Sequence, residues 1–466
     1  MQINYLEWTK MLPKDWMQTP EGKELWDKLF SSSQKKKEVQ KNNYIPLVRT
    51  SVPSTHKSVS QNILPVSTTS IDSLIAEDAG MGKMPAQTIE PEKKSTLANL
   101  KSVELRDIAT YFKAKGVVGE ESLVTGIYLA LSNNISFGVE GYSGSGKTFL
   151  VDKLINLVKE EDLYRAELSS KTAMFYDAHI INGANLIYIP ELQKALQDRN
   201  SPVTEIIKNI AEGKDAKRIV TSKNQMGSEE FVIDKGKTIV YTLALENSFK
   251  KDNEAARRFM RFITDSTPKH FEEIISYKAQ GRGNLLKSKH DEELTTRLGN
   301  HLNALRNLSV QVIDPFAEYL QAFIPKTQKS VGYIDHYYNL VDACTRFHFQ
   351  NREHFVVDNQ DYLLANLEDH YQVHAIYYNE FIKTLDDLAQ EGESKYREEN
   401  IDWKKCFEQG REQLYQNSTL QEVVKDNPAL LKNWEIRQVG QGSIHAKDYK
   451  TGEFSVLVDN ITLDEK

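Results

Sequence analysis

Between residues 138 and 151 the chain reads GVEGYSGSGKTFLV. Gly141, Ser143, Gly144, Ser145 and Gly146 make a glycine-rich turn that ends in Lys147 and Thr148, set between an apolar run and a helical pattern. Glycines let the backbone curl until its N–H groups face a common centre, and the start of a helix adds a favourable dipole. That combination suits the phosphates of a nucleoside triphosphate, with Lys147 bridging the β- and γ-phosphates and the Thr148 hydroxyl ligating Mg²⁺. ATP and Mg²⁺ are the ligands expected.

Hydrolysis needs more than a cradle. Further along, LIYIPE ends a buried-strand run at Glu191, where a carboxylate can orient or deprotonate the attacking water. The position before it, usually an aspartate that holds the metal through water, is Pro190. Either Thr148 and water suffice for the metal, or the site binds nucleotide and hydrolyses it slowly. The run KTIVYTLALEN should lie beside the strand that feeds the glycine turn, and its end offers Thr242, Glu246 or Asn247 to sense the γ-phosphate. In DNEAARRFMRF, Asn253 fits a helix cap and Arg257 and Arg258 fall in the first turns. Cations there oppose the helix dipole, so a compensating charge is expected: a neighbouring subunit's γ-phosphate, or an ordinary surface salt bridge.

These groups must be positioned by a sheet. Strand and helix patterns alternate over 100–266, which predicts a three-layer α/β core with a mostly parallel sheet. The helix after the glycine turn places Leu150, Val151, Leu154, Ile155 and Val158 on one face. Strand signals fade in 267–395, which predicts an all-helical module, with His336, His348 and His354 spaced too irregularly to form a metal site and Tyr337 and Tyr338 in its core. Residues 396–466 read as a helix followed by a β-ribbon around a Lys-Thr-Gly turn, a candidate winged-helix segment with Lys447 and Lys450 in its wing. At the other end, 1–30 hold three of the five tryptophans in two helical patterns, and 31–99 are Ser-, Pro- and Lys-rich without period, the composition of a disordered linker. The aromatic segment could dock a partner or pack on its own core.

Composition narrows the class. With 39% hydrophobic residues the 466-residue chain can fill real cores, and a net charge of −7 removes any global basic excess, so a nucleic-acid site must be local. Two cysteines, Cys344 and Cys406, in no metal or disulfide spacing point to a reducing, cytoplasmic setting. No apolar run reaches the length of a membrane span.

Taken in order, VVGEESLVTGIYLALS, the glycine turn, SSKTAMFY, the PE-x-Q strand end, RIVTSKNQMGSEEFVIDKG, EAARRF and IDPFAEYLQAFIP through DNQDYLLA resemble the AAA+ helicase-like ATPases of plasmids, phages and integrative elements that are associated with zinc-finger primases. The resemblance covers about residues 100–370. It implies a P-loop AAA+ ATPase that assembles as a homo-oligomeric, hexameric ring and translocates along or unwinds DNA in the replication of a mobile element. It also implies that the Arg218–Ile233 segment is a hairpin inserted before the sensor strand, whose tip enters a central pore and holds DNA phosphates through Lys223, flanked by Arg218 and Asn224. Arg258 takes the place of the arginine supplied in trans, with Arg257 pairing inside its own subunit. The chain departs from that pattern in Pro190 and in having a long linker where relatives carry a fused primase. An AAA+ switch that remodels or loads a protein partner through residues 1–30, and a scaffold that binds nucleotide for assembly alone, stay open beside the motor.

Overall fold

The computed structural model describes residues 100–166, 173–193, 202–221, 228–244, 257–283, 292–386 and 401–462. The expected docking helices of 1–30 and linker of 31–99 lie outside them. Helices α1 (Leu105–Ala114) and α2 (Glu121–Ser132) lead into β1 (Phe137–Gly141) and α3 (Lys147–Ile155). There follow β2 (Leu163–Arg165), α4 (Ala173–Tyr176), α5 (Ala178–Gly183), β3 (Leu186–Ile189), α6 (Pro202–Ala211), β4 (Ala216–Thr221), β5 (Ser228–Ile233), β6 (Thr238–Ala244) and β7 (Met260–Ile263).

Five of these strands form one sheet in the order β2-β3-β6-β1-β7, every neighbouring pair parallel. β1, β3 and β6 are buried along their whole length, which is why they read as unbroken apolar runs rather than alternating ones. On one face the sheet meets α1, α2 and α3, with Ile127, Leu131, Val151 and Leu154 fully buried. On the other it meets α4, α5 and α6 through Phe175, Ile181, Ile206 and Ile207. The predicted three-layer α/β core is present. β4 and β5 stand apart from it as an antiparallel ribbon.

One polar cluster is buried inside this core. Glu140 of β1 is fully buried and receives Arg261 Nε at 2.9 Å and Nη2 at 2.6 Å from β7, and the Tyr241 hydroxyl of β6 at 3.3 Å. The carboxylate beside Arg261 holds the guanidinium charged against the cost of its burial. Three adjacent strands are thus tied by side chains as well as by their ladders.

After the sheet come α7 (Pro268–Gly283), α8 (Glu292–Arg306), β8 (Gln311–Ile313), α9 (Ala317–Leu320), α10 (Gln328–Phe347), β9 (His354–Val357), β10 (Gln360–Leu364) and α11 (Leu367–Asp386). This corrects the all-helical expectation, because β8, β10 and β9 make a small mixed sheet. Its strands are only three to five residues long, too short to carry a period. Asp358 and Asn359, at φ of 49° and 63°, form the two-residue turn between β9 and β10. That Asp-Asn pair between apolar runs was the legible hairpin signal. Tyr337 is buried as expected and Tyr338 half-buried.

The C-terminal part holds three helices, α12 (Trp403–Gln416), α13 (Ser418–Asp426) and α14 (Ala429–Val439), then the antiparallel pair β11 (Ile444–Lys447) and β12 (Phe454–Val458). It shares a core with the small sheet, where Trp434 stacks on Phe316 and Phe407.

Removing one partner from the buried Glu140–Arg261 pair leaves an uncompensated charge. Arg261→Ala should lower the unfolding free energy by about 3–5 kcal/mol in urea titration, and Glu140→Gln/Arg261→Met should recover much of that loss.

Candidate nucleotide site

The glycine turn leaves the carboxyl end of β1 and enters α3 at Lys147. Gly144 and Gly146 sit at φ of 86° and 85°, backbone that a side-chain-bearing residue adopts only under strain. Gly141 is needed for closeness instead: a Cβ there would meet Thr264 Oγ1 at 2.0 Å and Ser145 Oγ at 2.6 Å. The loop is fastened from its neighbour strand, because Thr264, just past β7, donates to Ser145 Oγ at 2.9 Å. The Lys147 ammonium curls back over the loop and donates to the Tyr142 carbonyl at 3.0 Å.

Strand order brings the other expected residues to this loop. β6 lies between β1 and β3, so Thr242, paired in register with Val139, reaches both sides. Its hydroxyl is 3.4 Å from Thr148 Oγ1 and accepts from the Glu191 backbone N–H at 3.0 Å, while its carbonyl accepts from Leu192 at 2.9 Å. Glu191 follows β3 through Pro190 at φ of 55°. A non-glycine residue in this region costs on the order of 1–3 kcal/mol and such residues gather at functional sites. Because the strands are parallel, Glu191 leaves β3 at the same edge of the sheet at which Lys147 and Thr148 follow β1. Glu246 and Asn247 lie outside the described residues, so of the three candidates for the γ-phosphate sensor Thr242 is the one placed.

Thr264 went unnoticed in the sequence. So did Glu120, at the foot of α2, which accepts from the Asp265 N–H at 2.9 Å. His270 Nε2 lies 3.5 Å from the same carboxyl group, and Glu380 of α11 accepts from the Ile263 N–H at 3.2 Å. The strand that fastens the loop is itself held by carboxylates from two helices. No residue-type pattern announces such contacts, since each joins residues more than a hundred positions apart in the chain.

Arg257 and Arg258 immediately precede β7. Arg258 is mostly buried and forms an ion pair with Glu212 at the end of α6, while Arg257 is exposed and its carbonyl bonds His336 Nε2 at 2.9 Å. The arginine expected to pair inside the chain is thus the exposed one, and the arginine expected to act in trans is paired inside it.

The ribbon expected from Arg218 to Ile233 is formed, in the register Arg218↔Phe231. Its turn lies outside the described residues, and Lys223 and Asn224 with it. Arg218 lies over the Phe175 ring at 5.6 Å, packed against the domain at the ribbon's root. In the C-terminal hairpin, Lys447 pairs with Glu104 at 2.6 Å and leans on Phe454, and Lys450 covers Tyr449. These cations are engaged within the chain.

Of the three histidines of the helical region, His354 bonds the Phe349 carbonyl and His336 the Arg257 carbonyl. Cys344, His348 and Asp369 do approach one another within 4.8 Å. Asp369 is also taken up by Arg352, by Thr345 Oγ1 at 3.0 Å and by the Asn366 N–H at 2.9 Å, in a buried ion pair. Among the described residues no helix is long and apolar enough to cross a membrane.

Compared with known proteins, the chain matches no family model and no curated protein. What it does rests on its own geometry.

Thr242→Val removes the hydroxyl that joins Thr148 to the Glu191 backbone while keeping the side chain's shape. ATP affinity should change little and hydrolysis should fall by about tenfold or more, measured by isothermal titration and phosphate release. A pH effect follows from Glu120. Burial pushes its carboxyl up from 4.5 to about 8, so the folded chain keeps a proton that the unfolded chain releases. This group's stabilising contribution is complete below the lower value and is lost as pH rises through the upper one. Glu120→Gln should therefore flatten the urea midpoint between about pH 5 and about pH 8.

Proposed function

We propose that this chain is a P-loop AAA+ ATPase, and that its ring-shaped homo-oligomer translocates along or unwinds DNA in the replication of a mobile genetic element. One observation carries the reading: the strand order β2-β3-β6-β1-β7 gathers the Gly141–Thr148 loop, Thr242 and Glu191 at one edge of the sheet. Ligands of open parallel sheets bind outside the carboxyl ends of the strands, where this cluster lies.

In this reading the backbone of Ser143 to Thr148 receives the phosphates and Lys147 exchanges the Tyr142 carbonyl for phosphate oxygens. Bound Mg²⁺ supplies charge neutralisation at the phosphates, and the Thr148 hydroxyl, at the start of α3, is the residue that would hold it. Glu191 orients the attacking water and accepts its proton. Thr242 keeps Glu191 and Thr148 in one frame, which is the help Pro190 cannot give. Arg258 or the exposed Arg257 stabilises the transferring phosphoryl group in a neighbouring subunit; in the first case Arg258 must leave Glu212. The ribbon, rooted through Arg218 on Phe175, carries Lys223 and Asn224 to the DNA backbone, contacts that weaken steeply with salt. The three C-terminal helices and the β11–β12 hairpin, which share a core with the small sheet, serve in this reading as a winged-helix-like segment. Both cysteines are free and buried, in keeping with a reducing cytoplasm. Residues 1–30 serve to engage a replication partner.

The test separates cradle from catalyst. Lys147→Ala should lose MgATP binding altogether. Glu191→Gln should bind ATP as the natural chain does and release phosphate at least about a hundredfold more slowly, in line with loss of a general base. Forked DNA should stimulate the natural chain's hydrolysis. Equal hydrolysis by Glu191→Gln contradicts the catalytic assignment, and hydrolysis indifferent to DNA moves the reading to a protein-remodelling switch.

A further inference from the structure

Cys344 and His348 stand one helical turn apart. Cys344 lies in the last turn of α10 and His348 closes that helix, its N–H donating to the Cys344 carbonyl at 3.3 Å, so both side chains leave the same face. Asp369, in the first turn of α11, brings a carboxylate to them. One ligating atom from each of the three residues lies within 4.8 Å of the other two. Sequence spacing shows the first two as neighbours, and tertiary packing alone supplies the third.

Sulfur, imidazole nitrogen and carboxylate oxygen together form a donor set for zinc-class divalent ions, whereas magnesium and calcium select oxygen. Around a tetrahedral zinc, ligand atoms at about 2.0 to 2.3 Å from the metal stand about 3.5 Å apart. Small side-chain rotations would close the remaining gap.

The surroundings suit a ligand set. His348 Nε2 is buried and has no hydrogen-bond partner among the described residues, an unmet need that a bound cation would satisfy. Asp369 is fully buried and oriented through Oδ2, which receives Arg352 Nε at 3.2 Å, Thr345 Oγ1 at 3.0 Å and the Asn366 N–H at 2.9 Å. Its Oδ1 receives Arg352 Nη2 and keeps a lone pair for a metal. Ligating carboxylates are commonly fixed by outer hydrogen bonds of this kind. Arg352 by itself would repel a cation, but it interacts with two carboxylates, Asp369 and the half-buried Glu368, and a Cys344 thiolate adds a third negative charge. His348 and Arg352 also line a cavity of about 250 Å³, with Glu104, Gln372 and Lys447 among its other walls. It gives an ion a way in and has room for water beside the imidazole.

We propose that Cys344, His348 and Asp369 bind a zinc-class divalent ion, with water from this cavity as the fourth ligand. As the sulfur–metal bond forms, the thiol releases its proton to solvent. The ion fastens the end of α10 to the start of α11. This site is separate from the nucleotide loop and stands independently of the function proposed above.

The experiment uses the full chain without a histidine tag, stripped of metal by a chelator, dialysed, and titrated with Co²⁺ and then Zn²⁺. The chain has two cysteines, so a cobalt–thiolate charge-transfer band can arise only from Cys344 or Cys406. The band should saturate at one ion per chain, persist in excess Mg²⁺ and disappear as Zn²⁺ displaces the cobalt. Cys344→Ser should abolish it and Cys406→Ser should retain it. His348→Gln should weaken Co²⁺ binding by about tenfold or more, with circular dichroism confirming that each variant folds. Zn²⁺ should raise the thermal midpoint of the natural chain and leave that of Cys344→Ser unchanged. A natural chain with no thiolate band at saturating Co²⁺ overturns the proposal without recourse to any variant. A band that survives Cys344→Ser, or His348→Gln binding Co²⁺ as tightly as the natural chain, overturns it as well.

Discussion

The arrangement above the sheet depends on β6 lying between β1 and β3. Parallel pairing on both sides of β6 sets Thr242 level with Val139 of β1 and with the start of the Glu191 turn. Its hydroxyl and carbonyl satisfy Glu191 and Leu192, two backbone donors just beyond β3 that a strand end would otherwise leave to solvent. The left-handed backbone of Glu191 is held by those bonds. Were β3 to pair directly with β1, the loop and the carboxylate would be adjacent with no polar group between them.

The same logic extends to the outer strand. The segment that ends β7 fastens the loop through Thr264, and the N–H groups of Ile263 and Asp265 are taken by Glu380 of α11 and by Glu120 at the start of α2. Glu140 and Arg261 bind β1 to β7 from within the core. The loop is thus connected by short polar steps to two helices of the surrounding domain. At the opposite edge of the strands, Glu212 holds Arg258 at the end of α6, directly before the ribbon, with Lys214 also on Glu212 at 2.7 Å. A displacement of Arg258 would be felt where the ribbon is rooted.

Much of this was legible from residue types. Glycines at 144 and 146 followed by Lys-Thr specify a left-handed turn into a helix, and continuous apolar runs specify strands buried on both faces, so the core and its loop follow from local chemistry. The ribbon was legible for the same reason, two alternating segments about a turn. What escaped reading was non-local. Thr264 and Glu120 act through partners far along the chain, and nothing in their neighbourhoods marks them. The small sheet β8-β10-β9 was missed because strands this short carry no period, although Asp358-Asn359 announced their turn. Lys447 looked like a phosphate contact on a hairpin because its sequence neighbours are polar, but tertiary packing brings Glu104 to it. Arg257 and Arg258 are indistinguishable by pattern, and only the position of Glu212 separates them.

The central claim is that Lys147, Thr148, Thr242 and Glu191 surround one nucleoside triphosphate. The most direct measurement is a structure of the chain with a slowly hydrolysed ATP analogue and Mg²⁺. The account predicts density for the γ-phosphate between the Lys147 ammonium and Thr242, with the Lys147–Tyr142 contact broken and Glu191 facing the phosphorus in line with the leaving oxygen. Nucleotide bound elsewhere, or a triphosphate in the loop with Glu191 turned away from it in every subunit, would contradict it.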